Sequence, residues 1–116
     1  MSKLDKEDFA QGVYAIVRCV PYGRATSYGA VAKAMGYPNM SRMVGRVMSG
    51  CSSQETGIPA HRVVNSQGVL SGMDAFGSSG EMQKLLEAEG VVVSNGRISN
   101  WRIVFWNPLD EIQMEE

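Results

Sequence analysis

Cysteine and histidine are scarce in this chain of 116 residues, which contains two cysteines and one histidine. Cys19 and Cys51 are too few for a disulfide framework, and a zinc site built from cysteine and histidine needs more ligands. No hydrophobic run approaches the ~18 residues of a membrane span, and the N-terminus lacks the apolar core of a signal peptide. We therefore expect one cytosolic domain that binds no metal and no membrane.

Acidic residues are absent from residues 9–54, although the net charge of the whole chain is only −1. That stretch contains the basic residues Arg18, Arg24, Lys33, Arg42 and Arg46. The carboxylates concentrate near the two ends, at 5–8 and 110–116. A net charge near zero argues against nucleic-acid binding, because phosphate contacts rely on lysine and arginine. The segregation nevertheless predicts one face for an anion and another for solvent, with a partnerless basic surface as the alternative.

Hydrophobic periodicity predicts four helices, at residues 8–18, 28–35, 40–49 and 81–89. A threonine-serine pair precedes the second helix as a cap, and glycines follow the second and the fourth as stops. Because only a short turn separates the second helix from the third, residues 27–49 are predicted to form a helix-turn-helix.

The C-terminal region is predicted to be a β-hairpin followed by a short tail. The hairpin is expected over residues 91–105, on an Asn95-Gly96 turn, with its second strand continuing to Phe105. Residues 1–108 then form one domain, and residues 109–116 form an acidic tail. The predicted fold class is mainly α with a small β-hairpin.

Small and basic side chains share the outer face of the third predicted helix. Ser41, Arg42, Gly45 and Arg46 lie there, opposite a face of valine and methionine. Small side chains let a helix backbone approach another surface closely. In isolation, Arg42 is equally well read as an ordinary surface arginine.

The most specific string is Ile58-Pro59-Ala60-His61-Arg62-Val63-Val64, which follows the helix-turn-helix and precedes a helix ending at Glu89-Gly90. This layout resembles the DNA-binding domain of O6-alkylguanine-DNA alkyltransferases, the methylated-DNA-protein-cysteine methyltransferases, over about residues 9–90. Their active-site motif reads Pro-Cys-His-Arg-Val. The resemblance implies a winged helix-turn-helix like the C-terminal domain of those enzymes, with a pocket motif at 58–64.

Ala60 stands where those enzymes have their nucleophilic cysteine. In the enzymes a cysteine thiolate accepts the alkyl group, and a histidine and a glutamate draw off its proton. His61 and Glu89 match these two helpers and are expected to survive as a remnant network. The sequence therefore looks like an alkyltransferase-like protein, a relative that keeps the pocket without the nucleophile. This implies no catalytic residue and no cofactor.

The resemblance also implies which residues contact DNA. Arg42 matches the arginine finger that enters from the minor groove and fills the gap left by the extruded base. Tyr28 matches a tyrosine near the flipped nucleotide and its phosphate. The implied DNA-binding residues are Tyr28, Ser41, Arg42, Gly45 and Arg46. The implied lesion pocket consists of Tyr28, Pro59, Ala60, His61, Arg62, Val63, Leu70, Ser71 and Gly72.

Two departures from the enzyme pattern affect these expectations. Cys51 stands where the enzymes place a hinge asparagine, and Leu70 replaces a pocket tyrosine, which is expected to widen the pocket for bulky alkyl groups. Cys51 is interpreted as an idle thiol, because no neighbouring charge lowers its pKa. Cys19 is expected to lie in the core.

The function implied is binding of O6-alkylguanine in double-stranded DNA through the minor groove. The damaged base would be flipped into the pocket, and the complex, a protein monomer on DNA, would be passed to nucleotide excision repair proteins. Two alternatives stay open. One is an active methyltransferase that uses Cys51, and the other is a helix-turn-helix transcription regulator that reads undamaged DNA through the major groove.

Overall fold

The computed structural model describes residues 6–49, 57–70 and 80–111. Helices in these ranges are α1 (Lys6–Arg18), α2 (Tyr28–Ala34), α3 (Ser41–Ser49), α4 (Glu81–Ala88), α5 (Trp101–Val104) and α6 (Pro108–Glu111). The strands are β1 (Thr26–Ser27), β2 (Val63–Val64), β3 (Val93–Ser94) and β4 (Arg97–Ile98). The predicted class, mainly α with a small hairpin, is confirmed.

The first hydrophobic cluster packs α1, α2 and α3 together. Phe9, Val13 and Val17 recur every four residues along α1 and are fully buried against Val31 and Val44. This is the spacing that places side chains on one face of a helix. Burying the apolar face of α3 leaves its small and basic face toward the outside, as predicted.

The start of α2 is tied to the motif segment by a short parallel pairing. Thr26 is the register partner of Val63, and Ser27 is the partner of Val64. The Ser27 side chain also accepts a hydrogen bond of 3.1 Å from the Ala30 amide, which confirms the predicted cap. Together these contacts place Tyr28, the first residue of α2, beside the segment that contains the motif.

A second hydrophobic cluster lies under the C-terminal hairpin. Val64, Leu70, Leu86 and Ile98 are among its buried members. The hairpin turns at Asn95-Gly96 with φ values of 55° and 75°. Positive φ at both positions is the requirement of a type I′ turn, so the predicted turn is confirmed.

The predicted extension of the second hairpin strand to Phe105 is wrong. Asn100 adopts a left-handed conformation with φ 58°, and the chain then forms α5, with the Val104 amide bonded to the Asn100 carbonyl. The alternation of apolar residues suggested a strand with one buried face, but Ile103 is 74% exposed and belongs to no such face. Arg24 secures the new path by donating hydrogen bonds to the Val104 and Phe105 carbonyls.

Two further expectations need correction. Residues 109–111 do not belong to a separate tail, because they form most of α6, which packs against α2. Cys19 is exposed rather than in the core, since the chain leaves α1 just before it, and its thiol donates to the Ala15 carbonyl. No helix within the described ranges is both long enough and apolar enough to cross a bilayer.

Candidate nucleic-acid interface

A groove of about 470 Å³ lies between α2, α3 and the turn that follows β2. Its walls are formed by Tyr28, Gly29, Lys33, Ser41, Arg42, Gly45, Asn65 and Ser66. Four residues of the predicted DNA-binding set, Tyr28, Ser41, Arg42 and Gly45, thus line one surface. The fifth, Arg46, is exposed on α3 one turn beyond Arg42 but does not line the groove.

The groove is basic, and none of the described residues that line it is an aspartate or a glutamate. Lys33 and Arg42 line it, and both are exposed. Within the described residues, neither side chain forms an ion pair with an aspartate or a glutamate. Both cations are therefore available to an anion from outside, as the acid-free stretch predicted.

Gly45 has no structural need to be a glycine within the described part of the chain. A Cβ atom added there would meet no atom within 4 Å, and Gly45 is not one of the glycines with positive φ. Neither internal packing nor backbone conformation accounts for this missing side chain. The open space beside Gly45 leaves room for another molecule to approach the helix backbone closely.

Sequence reasoning did not assign Gly29, Lys33, Asn65 or Ser66 to this surface. Lys33 lies five residues beyond Tyr28 in the acid-free stretch, which was a usable signal. Asn65 and Ser66 reach the groove only because β2 pairs with β1, a contact between distant parts of the chain. Periodicity within one segment carries no information about such a contact.

The motif forms a short 3-10 turn, Ala60–Arg62, with its alanine in the core. Ala60 is 5% exposed and belongs to the first hydrophobic cluster. Val63 is also buried. The methyl group of Ala60 packs among apolar side chains and offers no atom capable of nucleophilic attack.

Glu89, just beyond the last residue of α4, joins the motif to the loop before β1. His61 Nε2 lies 2.7 Å from Glu89 Oε2, and Arg62 Nη2 donates to the same oxygen at 2.7 Å. Arg62 Nε donates to both carboxylate oxygens at 3.0 Å, and the Gly23 amide donates to Oε1 at 2.8 Å. The third nitrogen of the Arg62 guanidinium, Nη1, donates to the Val20 carbonyl. The predicted His61–Glu89 pairing is therefore present.

The net effect of these contacts is that the Glu89 carboxyl has a pKa below its ordinary value of 4.5. Burial is the largest influence and raises the pKa, but the hydrogen bonds from Arg62, Gly23 and His61 and the charge of His61 together outweigh it. An ionised carboxylate only accepts hydrogen bonds, so His61 Nε2 carries the proton that it donates to Glu89. Nδ1 of His61 is buried and has no partner within the described residues.

Four of the described residues assigned to the lesion pocket line two cavities of the structure. Tyr28 lines the groove, whereas Pro59, His61 and Arg62 line a second cavity of about 600 Å³ together with Arg18, Gly57 and Ile58. The Arg62 guanidinium donates hydrogen bonds to the Glu89 carboxylate and to the Val20 carbonyl.

Leu70 is 3% exposed and packs in the second cluster. Ser71, Gly72 and Cys51 lie outside the described residues. Within those residues, no group of three His, Cys, Asp or Glu side chains lies close enough to hold a metal ion.

Replacing Glu89 with glutamine should flatten the dependence of stability on acid pH. Because the pKa of Glu89 is lower in the folded state, its stabilisation is fully present above its ordinary value of 4.5 and is lost as pH falls through the folded value. Glu89→Gln removes this loss and lowers stability at neutral pH. Urea unfolding across the acid range measures the effect. Glu87→Gln, at an exposed carboxylate on α4, is the control, and an unchanged acid slope in Glu89→Gln would contradict the assignment.

A family model described as the DNA-binding domain of 6-O-methylguanine DNA methyltransferase matches residues 8–91. The chain belongs to this family. The match includes the helix-turn-helix, the motif and Glu89, which are the elements that build the groove and the buried network.

Proteins similar to this chain include alkyltransferase-like and base-flipping proteins as well as methyltransferases. Alkyltransferase-like protein 1 of Schizosaccharomyces pombe is 32% identical over 88% of this chain and 97% of its own length. The DNA base-flipping protein of Escherichia coli is 42% identical over 90% of this chain and 80% of its own length. A Mycobacterium tuberculosis methylated-DNA-protein-cysteine methyltransferase is 35% identical over 71% of this chain and 48% of its own length.

The fold is also that of a solved DNA-binding relative. S. pombe Atl1, in complex with damaged DNA containing O6-carboxymethylguanine, superposes with a TM-score of 0.76 at 36% identity. The likeness covers 89% of this chain and 98% of that one. The expected likeness to alkyltransferase DNA-binding domains is therefore confirmed.

Proposed function

We propose that this protein binds O6-alkylguanine in double-stranded DNA, flips the damaged base and holds it without removing the alkyl group. The observation that supports the proposal most is the motif turn, where the His61–Glu89 pair is present beside Ala60, the residue that the resemblance aligns with the nucleophile. The binding surface is the groove lined by Tyr28 and Arg42.

Several features support DNA as the ligand. Among the described residues that line the groove are two cations and no carboxylate, and α3 presents glycine and serine beside its arginines. Small side chains suit a helix that enters the narrow minor groove, and a guanidinium is flat enough to stack on an unpaired base. A relative with this fold was solved with damaged DNA, and another is named for base flipping.

Chemistry accounts for binding without transfer. Alkyl transfer requires an electron pair that attacks the alkyl carbon while the bond from that carbon to the guanine O6 breaks. In the related enzymes a cysteine thiolate supplies this pair. The Ala60 side chain has only carbon and hydrogen, so no new bond forms there and the lesion remains intact.

Selectivity for damage begins before any contact with the pocket. Flipping a base costs a few kcal/mol of stacking and pairing, and the cost is lower for a base that pairs badly. An O6-alkylated guanine is such a base. Arg42 repays part of the remaining cost if it fills the gap in the duplex.

A protein that holds a lesion without repairing it needs other proteins to complete the repair. Removal of a DNA segment around the lesion is the class of reaction that leaves the bound base untouched. We therefore infer that the complex, with one protein monomer on the duplex, directs the lesion to nucleotide excision repair proteins.

Equilibrium binding to three duplexes tests this proposal. The duplexes carry guanine, O6-methylguanine or a bulkier O6-alkylguanine at one position and are otherwise identical. The expected result is reversible binding that is tighter to both lesions than to guanine. Equal affinity for all three, together with dependence on the surrounding sequence, would instead indicate a transcription regulator.

A further inference from the structure

A second basic cavity lies apart from the groove, beside the C-terminal hairpin. It has a volume of about 730 Å³ and lies between β4 and α5. Arg97, Trp101 and Arg102 are among its lining residues, together with several serine and asparagine side chains. In the described part of the chain, no aspartate or glutamate lines it, so its charge favours an anion.

The guanidinium of Arg102 has no bonding partner among the described residues. Arg102 is exposed and makes no hydrogen bond or ion pair with the described residues. Arg97 uses Nε to donate to the Gln67 carbonyl at 3.1 Å, and no contact of its two terminal nitrogens is present within the described ranges. Two guanidinium groups are therefore free to bind an anion at this surface.

This cavity is connected to the groove by the turn over residues 65–68. Asn65 and Ser66 line the groove, and the Ser66 carbonyl accepts a hydrogen bond of 3.2 Å from Trp101 Nε1. The packing between the two sides is close, because a Cβ on Gly68 would lie 2.9 Å from the Trp101 ring. The turn over residues 65–68 therefore adjoins both cavities.

We propose that Arg97 and Arg102 form a second contact for the DNA backbone, on duplex that flanks the lesion. The inference rests on the proposed function and extends it, since it assigns the hairpin and α5 to the DNA-binding surface. Double-stranded DNA is an extended polyanion whose phosphates continue beyond the flipped base. The Trp101 indole supports the site by holding the turn with its N–H.

Binding to duplexes of two lengths tests this contact. One duplex ends just beyond an O6-methylguanine, and the other extends by about one helical turn, ~10 base pairs, on each side. The wild-type protein is expected to bind the longer duplex more tightly. Arg102→Gln should reduce that gain and lower the slope of log affinity against log salt by about 1, and adding Arg97→Gln should lower it by about 2 in total.

A matched control distinguishes the loss of any positive charge from the loss of a charge at the proposed contact. Lys84→Gln removes one positive charge from an exposed residue of α4 that lines neither cavity, and we expect it to leave the salt slope unchanged. Affinity for the short lesion duplex should be the same in Arg102→Gln and in the wild-type protein.

The outcomes separate this proposal from the function on which it rests. If wild-type protein does not prefer the lesion, the proposed function fails. If it prefers the lesion but Arg102→Gln and the double variant keep the wild-type length gain and salt slope, only the second contact fails. That second result would assign the arginines to a different anion, such as an acidic segment of a protein partner.

Discussion

Replacement of Arg42 with alanine is expected to weaken binding to an O6-methylguanine duplex by about 30-fold, with a much smaller loss on undamaged DNA. The guanidinium lines the groove on α3 and has no ion-pair partner within the described residues. Stacking of an aromatic side chain on a base contributes about 1–3 kcal/mol, and a loss of that order for the guanidinium, about 2 kcal/mol, is roughly 30-fold in affinity. Titration of both duplexes at one salt concentration measures the selective loss.

Two variants distinguish insertion of the Arg42 guanidinium into the duplex from a general effect of positive charge. Arg42→Lys keeps the positive charge but lacks the flat guanidinium, so we expect it to lose most of the lesion preference. Arg46→Ala removes an exposed arginine one turn further along α3 and should weaken both duplexes to a similar degree. Lesion binding unchanged in Arg42→Ala would show that Arg42 does not fill the gap.

Replacement of Ala60 with cysteine is expected to change the protein from one that transfers no alkyl group to one that accepts a single methyl group. His61 Nδ1 is buried without a partner in the described part of the chain, and Nε2 is paired with Glu89. A base held in this way can take the thiol proton, as a histidine does in other activated cysteines. The thiolate sulfur then bonds to the methyl carbon while the carbon–O6 bond breaks.

The intact mass of the variant, measured after incubation with O6-methylguanine duplex, gives the result directly. Ala60→Ser is the matched control, because a hydroxyl of similar size is a much poorer nucleophile, and its mass should not change. His61→Ala in the Ala60→Cys background should slow the transfer. If Ala60→Cys binds the lesion but never gains a methyl group, the His61–Glu89 pair does not serve as the base.

The helices and the outer face of α3 were predictable because they depend on spacing within one segment. Phe9, Val13 and Val17 fix the buried side of α1, and the valines and methionines of α3 fix which side carries Arg42. The Asn95-Gly96 turn was predictable for a similar reason, since only a few residue pairs favour positive φ at both turn positions.

The path after the hairpin was not predictable from the alternation of apolar residues. Asn100 adopts the left-handed conformation, which turns the chain into α5, and distant Arg24 secures that path. The packing of Leu70 in the second cluster was not predictable for a related reason. Its apolar side chain suits a pocket wall or a core equally well, and only packing against the α4 and hairpin residues decides between them.

The resemblance predicted most of the chemically important residues of the site. The structure shows which hydrogen bonds position them. The motif predicts His61 and Glu89 as partners, but not the role of Arg62, which binds both carboxylate oxygens and the Val20 carbonyl. Asn65 and Ser66 joined the groove through the pairing of β1 with β2. Contacts of this kind arise between segments and leave no periodic signal.

The central claim is that the protein holds an alkylated base and never takes the alkyl group. The most direct test is the intact mass of the unmodified chain after prolonged incubation with excess O6-methylguanine duplex, under conditions where binding is confirmed. We predict a mass identical to that of the free protein and a methyl group still present on the recovered DNA. A protein heavier by one methyl group, on Cys51 or on any other residue, would contradict the claim.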